Sequence, residues 1–188
     1  QEAEWQNRKA EPSGYQQYIP VYTIADALES LKLFEGHGYN KPIEIFEGVT
    51  INFCDAGHLL GSSSIHITVN ENGEERTVLF SGDLGNIDRP LIRNPQNPPY
   101  ADYVVIESTY GDRVHGERPD YIAQLTKIMQ ETFSKGGNLV IPSFAIGRTQ
   151  ELLYLFRTIK EQGLVKGYEN FIVYVDSPLA VEATKIYQ

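Results

Sequence analysis

Apolar and polar positions alternate with a period of two from residue 43 to residue 80, which is typical of strands with one buried face. The pattern predicts strands at 43–45, 49–53, 64–69 and 77–80. Asn72-Gly73 between the last two runs is a turn sequence that favours an antiparallel hairpin. A short continuous apolar run at 103–106 predicts one more strand, after a loop rich in proline and asparagine.

The pattern changes to alternating helix and strand beyond residue 112. Apolar spacing of three and four predicts helices that begin near Pro119 and Arg148, and Ser177-Pro178 is a strong helix start. Apolar runs at 138–141 and 171–175 predict strands, and strand-helix-strand order implies a parallel pair with a right-handed crossover. We therefore predict an α/β protein with a boundary near residue 112, which separates residues 1–112 from residues 113–188.

The first 42 residues carry weaker patterns. Residues 1–20 are polar and are predicted to form a loop. Thr23 and Asp26 have the spacing of a capping box, and the apolar positions that follow predict a helix that Gly36 closes.

Composition and charge exclude some classes of protein. The 188 residues are 41% hydrophobic and 22% charged, which is typical of a globular protein. No apolar run approaches the roughly 18–20 residues of a membrane span, and the polar start predicts no signal peptide. The single Cys54 fits a cytoplasmic protein. A net charge of -9 argues against nucleic-acid binding through bulk positive charge, but it allows metal ions to supply that charge locally.

Three polar side chains follow predicted strands and are candidates for chemistry. His58 and Asp83 each lie between glycines just after an apolar strand, and imidazole and carboxylate groups are ligands that zinc accepts. Structural roles in the turns remain the alternative for both residues. Glu107 ends the predicted strand at 103–106, where a carboxylate can orient a histidine or stabilise the loop itself.

The turn at 143–150 is a candidate site for a phosphate. It joins a predicted strand to a helix start, where backbone N–H groups favour an anion. Its candidate substrate-binding residues are Ser143, Gly147, Arg148 and Thr149. An ordinary strand-to-helix turn is the alternative, because the sequence is not a Walker loop.

Taken together, these stretches resemble the metallo-β-lactamase superfamily in its β-CASP branch of RNA-processing nucleases. The resemblance is carried, in family order, by DAGHLLGS at 55–62, SGDLG at 81–85, IESTYG at 106–111, IPSFAIGRTQE at 141–151 and VDSPLA at 175–180. It implies part of an αββα sandwich over residues 1–112 and the start of a Rossmann-like β-CASP domain over residues 113–188.

The resemblance also implies a function. The parent protein would be a zinc-dependent hydrolase that cleaves RNA phosphodiester bonds with two zinc ions. His58 would ligate one ion, Asp83 would bridge the two, and Glu107 would support a catalytic histidine. RNA is then the expected partner, with a homodimer left open and no membrane.

The family's upstream His-x-His-x-Asp-His run and its later histidine motifs are not found, since none of the four histidines lies two positions from another. We therefore expect an internal fragment that is inactive alone and binds zinc weakly. Two alternatives stay open for the parent: a catalytically inactive β-CASP scaffold, and a small-molecule hydrolase of the same superfamily.

Overall fold

The alternating segment folds into a five-stranded sheet in a computed structural model, which describes residues 2–9, 18–114, 116 and 119–187. The strands lie in chain order across the sheet: β1 Ile43–Phe46, β2 Val49–Asp55, β3 Ser63–Glu71, β4 Glu74–Phe80 and β5 Tyr103–Val105. The strands β1 to β4 pair antiparallel, and β5 pairs parallel to β4. The predicted strands of this region are therefore confirmed.

The hairpin between β3 and β4 forms where Asn72-Gly73 predicts it. Both residues have positive φ, 53° and 82°, as a two-residue turn matched to the sheet twist requires. The paired strands bring their apolar alternation into register, with Ile65 opposite Phe80 and Ile67 opposite Val78.

Three helices follow the sheet: α3 Tyr121–Ser134, α4 Arg148–Glu161 and α5 Pro178–Ile186. Met129 of α3, Ile159 of α4 and the loop residue Val165 are fully buried together. Partly buried apolar side chains pack around them: Ile122, Leu125, Phe133, Leu139, Phe156, Leu164 and Phe171. This cluster fixes the first helix pair, and therefore the start of α4 that carries Arg148.

The strands predicted at 138–141 and 171–175 are wrong, because neither segment pairs with a strand among the described residues. The predicted parallel crossover between these two strands is therefore wrong as well. Leu139 and Phe171 pack onto the helical core, whereas Val140 and Tyr174 are exposed. Apolar periodicity selects the buried side chains, but a strand also needs a neighbouring backbone.

The described residues divide into two compact units, Gln1–Gly38 and Tyr39–Gln188, so the predicted boundary near residue 112 lies inside the second and stays a prediction. The first unit contains two further helices, α1 Glu2–Lys9 and α2 Ile24–Ser30, and a 3₁₀ turn, Leu31–Leu33. The predicted loop at 1–20 is wrong for Glu2–Lys9, where acidic residues at the start and basic residues at the end favour a helix without apolar periodicity. Residues 10–17 lie outside the described chain.

The predicted capping box forms at the second of these helices. The Asp26 N–H donates to the Thr23 hydroxyl at 3.2 Å, and the Thr23 N–H donates to the Asp26 carboxylate at 2.8 Å. No helix in the described part of the chain is both long enough and apolar enough to cross a membrane.

Candidate active site

Side chains of the loop that carries His58 accept hydrogen bonds from the loop's own backbone. The Ser62 hydroxyl accepts from the N–H groups of His58 and Leu59, at 3.0 and 3.1 Å. The Asp55 carboxylate accepts from the Gly57 N–H at 2.9 Å. Gly57 has φ 63°, and a β-carbon there would meet the backbone of Pro95, so only glycine fits. The imidazole therefore projects from a fixed base.

The loop that carries Asp83 is joined directly to the His58 loop. The Gly85 N–H donates to the Ala56 carbonyl at 2.8 Å, and a β-carbon on Gly85 would overlap the carbonyl oxygen of Gly57. The Ser81 N–H also donates to the Val105 carbonyl at 2.9 Å, which ties the same loop to β5. The two strand ends are therefore held together by backbone contacts.

The three polar residues predicted from the strand ends meet at this edge of the sheet. His58 Nε2 lies 4.0 Å from Asp83 Oδ2. The Glu107 carboxylate accepts from the Leu84 N–H at 2.6 Å and from the Thr109 hydroxyl at 2.7 Å. These hydrogen bonds hold the pKa of Glu107 below its ordinary value, and the bond from the Leu84 N–H is the largest cause. Glu107 is therefore an ionised carboxylate that anchors the Asp83 loop.

His58 and Asp83 fit zinc in donor type and spacing, but not in number. Two ligands of one tetrahedral zinc ion lie roughly 3.4 Å apart at Zn–N and Zn–O distances near 2.1 Å, which is close to the separation of this pair. Zinc sites use three or four protein ligands. No group of three or more His, Cys, Asp or Glu side chains is arranged for a metal within the described ranges. The described residues thus supply two donors of a site that needs more.

A cleft of about 290 Å³ lies beside His58, and the turn before α4 forms its opposite wall. Gly147 has φ 82°, and a β-carbon there would lie 2.6 Å from the Leu59 side chain, so this glycine permits the close approach. The cleft is lined by His58, Leu59, Arg89, Leu91, Ile92, Phe144, Ile146, Gly147, Arg148, Glu151 and Tyr187. The predicted metal ligand and the predicted anion site therefore share one cavity. A larger groove of about 630 Å³ along α3 contains none of the predicted site residues.

One carboxylate in this cleft contacts two guanidinium groups. Glu151 Oε2 lies 2.8 Å from Arg148 NH1, and Glu151 Oε1 lies 3.3 Å from Arg89 Nε. The Glu151 side chain is only 12% exposed, whereas Arg89 and Arg148 are 35% and 51% exposed. The cleft wall thus carries two positive groups organised by one largely buried negative group.

Comparison with known proteins finds similar proteins that are named as ribonucleases and RNA-processing factors. It is 36% identical over 158 residues to Ribonuclease TTHA0252 of Thermus thermophilus, an alignment that covers 81% of this chain and 35% of that protein. It is 32% identical over 177 residues to Endoribonuclease YSH1 of Yarrowia lipolytica, over 94% of this chain and 21% of that protein. It is 30% identical over 171 residues to Cleavage and polyadenylation specificity factor 73 of Drosophila melanogaster, over 89% of this chain and 24% of that protein.

This chain belongs to the β-CASP nuclease family. It spans about a third or less of the length of these relatives, and no protein-family model matches it. The metallo-β-lactamase and β-CASP motifs that it resembles occupy both the sheet edge and the turn before α4.

Two residues of the β-CASP turn that are predicted to bind substrate do not line the cleft. The Thr149 hydroxyl donates to the Phe144 carbonyl at 2.7 Å and lies 2.9 Å from the Ser143 hydroxyl. These contacts hold the turn together. Gly147 and Arg148 do line the cleft, so the structure divides the four predicted residues into two supports and two wall residues.

Sequence reasoning missed two polar residues of the cleft, Arg89 and Glu151. Arg89 lies in the proline-rich loop after β4, far from the motif that contains Glu151. The spacing of Glu151, three positions after Arg148 on a predicted helix, could have indicated their ion pair. No local pattern could have indicated Arg89, since its contact depends on how the loop crosses the face of α4.

Proposed function

We propose that the protein that contains this chain hydrolyses RNA phosphodiester bonds with zinc, and that this chain contributes His58 and Asp83 to the metal site. The observation that carries the proposal is the pairing of these side chains, 4.0 Å apart, where His58 lines a cleft that also contains two arginines. The relatives named as ribonucleases support RNA as the substrate. Imidazole and carboxylate donors support zinc.

Each residue of the sheet edge has a role in this proposal. The imidazole of His58 would ligate one zinc ion, and the Asp83 carboxylate would bridge two, as the family resemblance implies. Zinc, when bound, supplies a hydroxide nucleophile near neutral pH and offsets negative charge on the phosphate. Glu107 holds the Leu84 N–H and thereby fixes the backbone next to Asp83. Arg148 in the facing wall would contact the phosphate of the substrate.

The net charge of -9 is compatible with this substrate, because attraction for RNA would arise locally. Cys54, the single cysteine of the chain, is buried and free, which supports a cytoplasmic location as part of the proposal. A homodimer, which the sequence leaves open, would be tested by analytical ultracentrifugation.

The proposal is tested by replacing His58 in the full-length protein. We expect His58→Ala to reduce zinc content and to lower the rate of RNA cleavage by roughly 100-fold or more, because a metal ligand is lost. His37→Ala is the matched control, since His37 is an exposed histidine with its own ion pair to Glu35 at 3.7 Å. Zinc content by mass spectrometry and cleavage of a labelled oligonucleotide are the two measurements.

Undiminished cleavage in His58→Ala would contradict the proposal. Stoichiometric zinc without any cleavage in the unaltered protein would favour the scaffold alternative. For the 188-residue chain alone we expect no cleavage and weak zinc binding, because its described residues offer two donors. Tight stoichiometric zinc in that chain would overturn this expectation.

A further inference from the structure

The two arginines of the cleft come from distant parts of the chain and meet at one carboxylate. Arg89 belongs to the loop after β4, and Arg148 is the first residue of α4. Glu151 lies one turn further along α4 and contacts both, at 3.3 and 2.8 Å. Its low exposure means that this carboxylate is surrounded mainly by protein, and its two ion pairs fix the positions of both guanidinium groups.

The arrangement leaves guanidinium N–H groups that Glu151 does not engage. A guanidinium has five N–H donors in a planar fork, and the contacts to Glu151 engage one nitrogen of each arginine. Two positive groups against one negative group leave a local excess of one positive charge, in a protein whose overall charge is negative. The cleft wall is thus suited to an anion that accepts several hydrogen bonds.

An aromatic side chain also belongs to this wall of the cleft. Tyr187 lines it together with both arginines. Its hydroxyl oxygen is enclosed by protein and makes no hydrogen bond to the described part of the chain, so it is not a group that an occupant of the open cleft contacts.

We propose that Arg89 and Arg148 form a clamp for a backbone phosphate of the RNA substrate, in which Glu151 acts as a positioning residue for both guanidinium groups. The identity of the ligand as RNA rests on the proposed function. Arginine forks match the paired oxygens of a phosphate, which favours this group over a neutral ligand. Because His58 lines the same cleft, the clamped phosphate lies next to the proposed metal site, and the clamp sets where the strand is held relative to the scissile bond.

The clamp is tested by RNA binding, separately from catalysis. The full-length protein carrying His58→Ala binds a fluorescent single-stranded oligoribonucleotide, and anisotropy gives the dissociation constant over a series of salt concentrations. Adding Arg89→Gln or Arg148→Gln should weaken binding by about tenfold, as expected for a lost charge-assisted hydrogen bond. Each should also make the logarithmic salt dependence shallower by about 0.7, the value for one phosphate contact on a single strand.

Arg157→Gln is the matched control for the two arginine variants. Arg157 lies on the same helix, pairs with Glu161 at 2.8 Å and does not line the cleft. The change in total charge is identical, so a cleft-specific effect must exceed that of Arg157→Gln. Equal effects of the three substitutions would overturn the clamp. Arg89→Lys keeps the charge without the fork, and it replaces Arg89→Gln if that variant is poorly folded. Its affinity should lie between those of Arg89→Gln and the protein with Arg89 intact.

Glu151→Gln separates positioning from simple neutralisation. The substitution makes the cleft more positive, so binding should tighten if Glu151 merely cancels charge. We expect binding to weaken about fivefold, because the guanidinium groups lose their common anchor. Tighter binding would overturn the positioning role.

The design also distinguishes failure of the clamp from failure of the proposed function. RNA binding that depends on Arg89 and Arg148, without RNA cleavage by the unaltered protein, would retain the clamp and reject the nuclease. Cleavage that requires His58, with binding unaffected by either arginine substitution, would retain the nuclease and reject the clamp.

Discussion

The two walls of the cleft are built in different ways. The sheet edge with His58 and Asp83 is joined by backbone contacts: a hydrogen bond from Gly85 to Ala56, and close packing that excludes any β-carbon on Gly85. The turn before α4 is joined by side chains, chiefly Gln150, which is 2% exposed. In the first wall these backbone contacts add to the side-chain hydrogen bonds of Ser62, Asp55 and Glu107, which fix each loop.

The side-chain network of the turn links it to α5 rather than to the sheet. Gln150 accepts from the Gly147 N–H at 2.7 Å and donates to the Ala145 carbonyl at 3.0 Å and the Thr184 hydroxyl at 3.1 Å. This wall of the cleft therefore belongs to the helical layer. From this difference we infer that mutations at the sheet edge act mainly through backbone overlap, and mutations in the turn through lost hydrogen bonds.

The largest effect is expected at Gly85. Gly85→Ala places a methyl group onto the Gly57 carbonyl oxygen, where both groups are backbone-bound and neither loop can yield alone. We expect the free energy of unfolding to fall by about 3 kcal/mol or more, measured by urea denaturation of the unit that contains the sheet. Gly61→Ala is the control, because Gly61 has φ 81° but an open surrounding.

Gly61→Ala should cost only about 1 kcal/mol, which is the cost of the left-handed conformation for alanine. A loss at Gly85 no larger than the loss at Gly61 would show that close packing of Gly85 against Gly57 does not join the loops. The contrast between the two walls would then be incorrect.

The sheet edge was also the more predictable wall. Alternating apolar positions locate the strands, and the Asn72-Gly73 turn makes β3 and β4 neighbours. The places of His58, Asp83 and Glu107 at strand ends could therefore be predicted from sequence, whereas the order of the other strands comes from the structure. The information is local, since each residue follows its own strand directly.

The helical wall could be predicted only in part. The helix starts at Arg148 and Pro178 follow from capping and apolar spacing, and both are confirmed. The ion pair between Arg89 and Glu151 depends on the path of a long proline-rich loop, which has no periodicity. The strand predictions at 138–141 and 171–175 were wrong because pairing requires a neighbour that apolar alternation does not specify.

A smaller effect is expected at Gln150. Gln150→Ala leaves the Gly147 N–H and the Ala145 carbonyl without their buried partner, and should lower the free energy of unfolding by about 2 kcal/mol. Gln124→Ala, on the exposed face of α3, should change it by less than about 0.5 kcal/mol. Urea denaturation of both variants compares them directly. Equal stability of the two variants would show that the turn does not depend on its side-chain network.

The smallest effect is expected at Asp102, where β5 joins the sheet and one side chain assists the backbone. Its carboxylate accepts from the Thr77 N–H at 2.7 Å and the Thr77 hydroxyl at 2.9 Å, and these bonds hold the pKa of Asp102 below its ordinary value. A lowered pKa means that the ionised carboxylate stabilises the fold above about pH 4, and that this contribution is lost as the pH falls through the folded-state pKa.

Asp102→Asn should therefore be less stable than the unaltered protein at pH 7, with a difference that shrinks below about pH 4. Thermal unfolding from pH 7 to pH 3 measures this difference. Thr77→Val keeps the backbone hydrogen bond, so its stability should lie between those of the unaltered protein and Asp102→Asn. A difference that is constant with pH would mean that ionisation of the Asp102 carboxylate does not help to hold β5 on the sheet.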